Sequence, residues 1–408
     1  MKKIVIVADD IAMPGEKGLS RLHYLAEFFS SNGFDTELVT ADFQHWEKRY
    51  RTKSEMQRIK SASKCKITFI HEGAYKKNID PRRILSYRTL SKNIKKYLCD
   101  NSYDLVYALI PDNHLCAAAG EYAKKRNIPF IIDVEDLWPE AMRMVFDVPV
   151  ISDILFSYFT VNAKKAYSLA SAVIGSSNEY RDEPLKYGYN IDKKRTVYVG
   201  TDLERFDCGA KKNSDKIIKP ENEFWVTYAG TLGTSYDIET LIKAGGLLKK
   251  RGINIKTVLL GSGPLMEDFQ KAAEKTDADI YFAGYMPYEV MAAYLKKSDI
   301  TVNSLVSKAS QSIVSKIGDY LAAGVPMINT GLNREFREKV EADGFGLNVP
   351  PEDADALSNA IEKLYFDASL RKEMGRRARH TAEAQFNRPV SYMKIVELAK
   401  ELLEEKND

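Results

Sequence analysis

The stretch "FWVTYAGTLGTSYDIETLIKAGGLLKKRG", Phe224–Gly252, sets the fold class. Its first part, "FWVTYAG", is a short apolar run of the kind that forms a buried strand. A glycine loop follows, and then "DIETLIKAGGLLKKRG" has helical spacing that ends on glycine. Such strand–loop–helix units recur along the chain. Upstream, the strand "KIVIVAD" leads into "SRLHYLAEFFSSNG", where Leu22, Leu25, Ala26 and Phe29 are helically spaced and Gly33 is the stop. The strands "DTELVTA", "YDLVYALI" and "IPFIIDVED" follow, with the helix "NHLCAAAGEYAKKRN" between the last two, and "RTVYVGTD" closes this half. Downstream come "IKTVLLGSG", "DIYFAGY", "DITVNSL" and "VPMINTG", separated by helical segments that include "SKIGDYLAAG". Repeated βα units predict parallel sheets covered on both faces. Between the two series, "DCGAKKNSDKIIKPEN" (Asp207–Asn222) is polar and aperiodic, and reads as a linker or exposed connection. The expectation is an α/β protein of two doubly wound Rossmann-like domains facing each other across a cleft, with ligands beyond the carboxyl ends of the strands.

Composition narrows the class. The 408 residues are 44% hydrophobic and 29% charged, with a net charge of +3. That is enough apolar material for two cores. No run of about 18 apolar residues suggests a membrane span. The start, "MKKIVIVADD", is too briefly apolar and too soon acidic for a signal peptide. Cys65, Cys99, Cys116 and Cys208 are widely spaced, which suggests neither a zinc site nor a disulfide framework and points to the reducing cytoplasm. Charge is uneven: Phe43–Tyr103 holds 16 Lys/Arg against five acids. This segment is either a solvated helical face or a surface for anionic lipid headgroups or a phosphate-bearing substrate. Nucleic acid is not expected, because no recognition motif is present.

Four loops carry glycine where a ligand could approach the backbone: Gly15 and Gly18 before the first helix, Gly230 and Gly233, Gly261 and Gly263, and the segment ahead of "SKIGDYLAAG". Each reads either as a tight βα turn or as a cradle for a diphosphate at a helix N-terminus. Lys316 near such a terminus opposes the helix dipole unless an anion binds. Asp319, one turn on, could hold a ribose diol. Asp133, Glu135 and Asp136 cluster at the end of "FIIDVED", and could face a ligand or cap the next helix. Trp138 could be core or a platform for a sugar ring. Neither a GxGxxG nor a P-loop pattern is present.

Taken in order, "YAGTLGTSYDIETLIKA", "LLGSGP", "FAGYMP", "SDITVNSL" and "SKIGDYLAAGVPMINTG" resemble the retaining glycosyltransferases of family 4, which have the GT-B fold. "YVGTDLERF" resembles that family's interdomain signature, and "DLWPE" is similar to a branch that builds bacterial surface polysaccharides. The resemblance implies an acceptor-binding domain over 1–200, with a C-terminal helix at 389–408 packing back on it, and a nucleotide-sugar domain over 207–387. It implies transfer of a hexosyl or N-acetylhexosaminyl group from a nucleoside diphosphate sugar to a hydroxyl of a lipid-linked glycan acceptor, in capsule, exopolysaccharide or O-antigen synthesis. Lys316 and the N–H groups of Ser312, Ile313 and Ser315 would meet the diphosphate, and Asp319 the ribose. Gly261, Gly263, Pro264, Tyr285 and Met286 would border the base. Gly230, Thr231 and Leu232 would line the donor, with Gly15, Lys17 and Gly18 closing over its phosphates. Glu135 and Asp136 would act near the transferred sugar.

The chain departs from the family pattern in three ways. Gln311 and Asp319 stand where two glutamates are usual, Thr231 and Tyr236 stand where an Arg and a Lys are usual, and Glu135 replaces a common histidine. Lys316 would then carry more of the phosphate charge, helped by Lys17 or Arg21. No metal or other cofactor is expected, since the leaving-group charge would be met electrostatically. Location would be cytoplasmic, peripheral to the inner face of the membrane. A partner subunit without activity and a nucleotide-sugar 2-epimerase are the alternatives.

Overall fold

The first strand, β1 (Lys3–Val7), is buried between two cores, with Ile4 and Ile6 in one and Val5 and Val7 in the other. An alternating split of one apolar run between two cores is what a sheet covered on both faces requires. The computed structural model describes residues 1–9, 11–16, 21–77, 80, 82–138, 151–309 and 313–406. The chain divides into two units: Met1–Val197 with Tyr392–Asp408, and Tyr198–Ser391.

In unit 1, β1 is followed by β2 (Asp35–Ala41), a small antiparallel pair of β3 (Phe43–Gln44) and β4 (Arg49–Tyr50), and β5 (Lys66–Ile70). Then come β6 (Leu105–Ile110), β7 (Phe130–Val134), β8 (Ala172–Gly175) and β9 (Lys194–Thr196). The main sheet is parallel in the order β5-β2-β1-β6-β7-β8-β9. Helices Arg21–Ser31 and Lys53–Ala62 cover one face, and helices Arg82–Cys99, Asn113–Arg126 and Ile151–Leu169 the other. From the final helix, Arg388–Glu404, the side chains of Tyr392, Ile395, Val396 and Ala399 lie in the unit 1 core.

Unit 2 contains β10 (Trp225–Ala229), β11 (Lys256–Leu260), β12 (Asp279–Gly284), β13 (Ile300–Asn303), β14 (Met327–Asn329) and β15 (Gly346–Asn348). Its sheet is parallel in the order β12-β11-β10-β13-β14-β15, a doubly wound arrangement that reverses direction between β10 and β13. The segment expected as a linker is different. Residues Leu203–Asn213 form a helix capped by Asp202, whose side chain accepts from the Arg205 N–H. Its Phe206 and Ala210 are buried in the unit 2 core. The stretch begins polar because only one face of this helix is apolar, and the window Asp207–Asn222 missed Leu203 and Phe206.

Arg21 ties unit 1 together. It is 2% exposed, and its Nη1 pairs with both Asp133 and Glu135 at the end of β7. Its Nε donates to Tyr392 Oη at 3.1 Å, and Tyr107 Oη donates to Asp133 Oδ2 at 2.5 Å. Burial alone would lower the Arg21 pKa, but the two carboxylates raise it well above the usual value. Arg21 was expected as a possible phosphate ligand, and it is instead the internal counter-charge of a buried acid pair. Replacing it by Met would leave two carboxylates uncompensated. The expected cost for Arg21→Met is about 3–5 kcal/mol of unfolding free energy in urea, whereas an exposed cation such as Lys124 should be near neutral on replacement by Ala.

Candidate functional site

The crevice where the unit 2 sheet reverses is where ligands bind in doubly wound folds. The loop leaving β10 starts at Gly230, with φ 148°. Lys316, after β13, is the N-cap residue of the helix Ile317–Ala323 and reaches that loop. A Cβ on Gly230 would stand 2.6 Å from Lys316 Nζ, so the lysine would have to shift, and the φ of 148° is what favours glycine. The ammonium lies 4.1 Å from the Tyr228 ring centroid and 3.7 Å from that of Tyr236. It also donates to Tyr228 Oη at 2.9 Å, and that hydroxyl donates to the Thr231 carbonyl at 2.8 Å. Ring faces attract a cation, but they do not neutralise it. No carboxylate pairs with Lys316 among the described residues, and burial holds its pKa well below the ordinary lysine value. When protonated, Lys316 therefore has no carboxylate counter-charge among the described residues.

The helix starts two residues later than "SKIGDYLAAG" suggested and stops at Gly324, in the left-handed region at φ 72°. Tyr320, one turn from Lys316, accepts from the Ala229 N–H at 2.8 Å and donates to its carbonyl at 3.0 Å. It locks the helix to the end of β10. Asp319 Oδ1 accepts from Thr201 Oγ1 at 2.6 Å and Tyr288 Oη at 2.7 Å. Burial pushes the Asp319 carboxyl above its usual value, and the two hydroxyls offset part of that. Gly318 packs on the backbone of Gly200 and Thr201, where a Cβ would come within 2.9 Å of the Gly200 carbonyl carbon. The "GTD" motif and the "IGDY" helix thus meet backbone to backbone.

The second and third glycine loops hold each other. Gly230 N–H donates to the Leu260 carbonyl, Leu232 N–H to Ser262, and Leu265 N–H to Leu232, at 2.8, 3.1 and 3.0 Å. A Cβ on Gly261 would run into the Gly230 carbonyl oxygen, and one on Gly263 into that of Leu232. Both glycines are explained by this contact. Leu232, expected among the donor contacts, is instead a core residue at 0% exposure with its N–H and carbonyl both engaged. Thr231, Pro264 and Ser315 are exposed around the crevice, Ile313 and Met286 pack at the edge of the core, and Tyr285 is 68% exposed after β12. Lys17, Gly18, Gln311 and Ser312 lie outside the described residues.

In unit 1, Gly15 has φ 89° and open space where its Cβ would be. Its loop is anchored by Glu16, which pairs with buried Arg51 at 2.8 Å. Glu135 is committed to Arg21. Asp136 serves its own turn, accepting from the Leu137 N–H at 2.9 Å and Trp138 Nε1 at 3.1 Å, and burial raises its pKa. These contacts are local, and the helix that Asp136 was expected to cap lies outside the described residues. Trp138 packs edge-on against Tyr87 and Phe159. Among the described residues no group of three His, Cys, Asp or Glu side chains is placed to hold a metal, and no helix is long and apolar enough to cross a membrane. Sequence reading missed Tyr228, Tyr320, Thr201 and Tyr288. The i, i+4 spacing of Lys316 and Tyr320 was the available signal.

Two parallel, doubly wound α/β units of this order define a GT-B-like fold, and known proteins agree. Residues 210–381 match the family model of glycosyl transferases group 1. EpsD of Bacillus subtilis, described as a glycosyltransferase, is 23% identical over 74% of this chain and 77% of its own length. The capsular polysaccharide biosynthesis glycosyltransferase CapM of Staphylococcus aureus is 22% identical over 61% of this chain and 67% of its own. The crystal structure of Anabaena HepE in complex with UDP-glucose superposes with a TM-score of 0.67 at 15% identity, covering 100% of both chains.

The loop contact gives a contrast. Gly261→Ala should cost roughly 2–4 kcal/mol, because φ is 134° and the Gly230 carbonyl blocks the new methyl. Gly233→Ala, whose Cβ would meet only Thr231 Cγ2 at 3.5 Å, should stay within about 0.5 kcal/mol. Urea midpoints of the two variants check this.

Proposed function

We propose that the protein is a retaining glycosyltransferase that moves a sugar from a nucleoside diphosphate sugar to a hydroxyl of a lipid-linked glycan, in the making of a bacterial surface polysaccharide. The observation that carries this reading is Lys316: a half-buried lysine with no carboxylate partner among the described residues, against the loop at Gly230, at the reversal point of the unit 2 sheet. A diphosphate is the anion that supplies the missing charge. As the bond from the anomeric carbon to the diphosphate oxygen breaks, the leaving group gains negative charge, and Lys316 stabilises it there. Tyr228 keeps the ammonium in place by accepting its hydrogen bond. Asp319, oriented by Thr201 and Tyr288, accepts from ribose hydroxyls. No metal is needed in this scheme.

HepE's complex with UDP-glucose supports the donor class, and CapM's role in capsule synthesis supports the product class. Work at the inner face of the membrane follows from a lipid-linked acceptor, and the basic segment 43–103 suits an anionic surface. The hexosyl or N-acetylhexosaminyl identity of the sugar is set by the donor panel below.

Thermal shift and slow hydrolysis against a panel of nucleotide sugars test the reading. One donor should stabilise the protein by about 2.7 kcal/mol at a hundredfold excess over Kd, and be hydrolysed. Lys316→Ala should weaken nucleoside diphosphate binding at least about tenfold while leaving nucleoside binding nearly unchanged. Unchanged diphosphate affinity would exclude Lys316 from the phosphate site. Stabilisation without turnover on any acceptor would favour the partner-subunit alternative.

A further inference from the structure

Unit 1 holds a groove of about 230 Å³ between the helices Arg82–Cys99, Asn113–Arg126 and Ile151–Leu169. Its floor is Ala117 and Ala118, whose small side chains leave the depression open. Arg88, Lys92 and Lys95 line one wall at i, i+4 and i+7, on one helix face. Lys165 lines the wall opposite. Lys95 and Lys165 share a single acid, Glu121. Arg88 lies 4.8 Å above the Tyr158 ring and, like Lys92, has no acid partner among the described residues. Four cations thus surround one carboxylate. Beneath them, Ser91 Oγ and His114 Nδ1 are buried without hydrogen-bond partners among the described residues. Burial, against a hydrogen bond to the Tyr87 backbone, holds His114 below its usual pKa, with Arg88 and Lys165 adding to the shift.

We propose that this groove binds a phosphate ester anion. A phosphate monoester carries up to two negative charges and a phospholipid's phosphodiester one, and both present several acceptor oxygens. That matches a surplus of three positive charges and an unpaired hydroxyl better than a carboxylate does. The planar Arg88 fork and the Lys92 point charge are the paired donors that phosphate recognition uses. The ester has two sources: the headgroup of an anionic phospholipid, or a soluble sugar or glycerol phosphate. The inference is independent of the donor site in unit 2. It deepens the membrane reading of the basic segment by giving it a defined pocket.

The full-length protein is compared with Arg88→Ala/Lys92→Ala, the charge-conserving Arg88→Lys/Lys92→Arg, and Lys124→Ala/Lys125→Ala, which removes equal charge from an exposed helix end. Calorimetry with glycerol 1-phosphate reads the soluble source. Co-sedimentation with vesicles of phosphatidylcholine, with and without phosphatidylglycerol, reads the lipid source. The groove variant should lose at least about tenfold in affinity for one or both probes, with the helix-end variant within about threefold of wild type and the charge-conserving variant losing less than the groove variant. Loss confined to vesicles assigns the headgroup, and loss confined to glycerol phosphate assigns the soluble ester and removes the membrane reading. Binding of neither probe by the wild type overturns the proposal. So does equal loss in the groove and helix-end variants, which would leave only a diffuse membrane attraction.

Discussion

A lysine ammonium held against two tyrosine rings organises the reversal point of unit 2. Gly230, at φ 148°, leaves the space beside β10 in which Lys316 Nζ lies. Tyr228 lies on β10 so that its ring and hydroxyl can both hold the lysine, and Tyr320 fixes the helix from which Lys316 projects. The loops at 230–232 and 261–263 then close on each other through their backbones, which leaves no room for side chains at Gly261 and Gly263.

The two units handle buried charge in opposite ways. In unit 1, Arg21 and the acids Asp133 and Glu135 neutralise one another, with Tyr107 and Tyr392 completing the cluster. A charge already paired inside the fold offers less to a ligand, because a new contact competes with an existing one, although Arg21 Nη2 and Asp133 Oδ1 keep no hydrogen-bond partner among the described residues. In unit 2, Lys316 has ring faces and a hydroxyl in place of an acid. An anion arriving there would displace no internal pair, and part of its attraction would go into restoring the proton that burial disfavours. The same distinction separates the two readings of unit 1's cations. Arg51 and Lys66 are spent on Glu16 and Glu37, whereas Arg88 and Lys92 are not spent on any described acid.

The parallel sheets were legible because runs such as "KIVIV" and "WVTYA" are apolar on both faces, and only a doubly covered strand needs that. The placing of Lys316 by a βα loop was legible too, because a cation at a helix start is unfavourable without a purpose. What stood on the wrong side was pairing across long separations. Arg21 and Asp133 are 112 residues apart, so nothing local marks Glu135 as structurally committed. Gly261 and Gly263 read equally well as cradle or turn until the neighbouring loop supplied the reason for both. The helix Leu203–Asn213 was hidden because its apolar face is narrow and its remaining positions resemble a linker.

The most direct test is proton uptake. Isothermal titration of the tightest-binding nucleoside diphosphate at about pH 8.5, above the titration of its own terminal phosphate near 6, is repeated in buffers of different ionisation enthalpy. Burial without an anion depresses the Lys316 pKa, and a bound diphosphate raises it, so the complex should take up protons, more of them as pH rises, and Lys316→Ala should abolish the effect. Heats that do not depend on the buffer, or an uptake that survives in Lys316→Ala, would mean that Lys316 does not gain its missing charge from the donor.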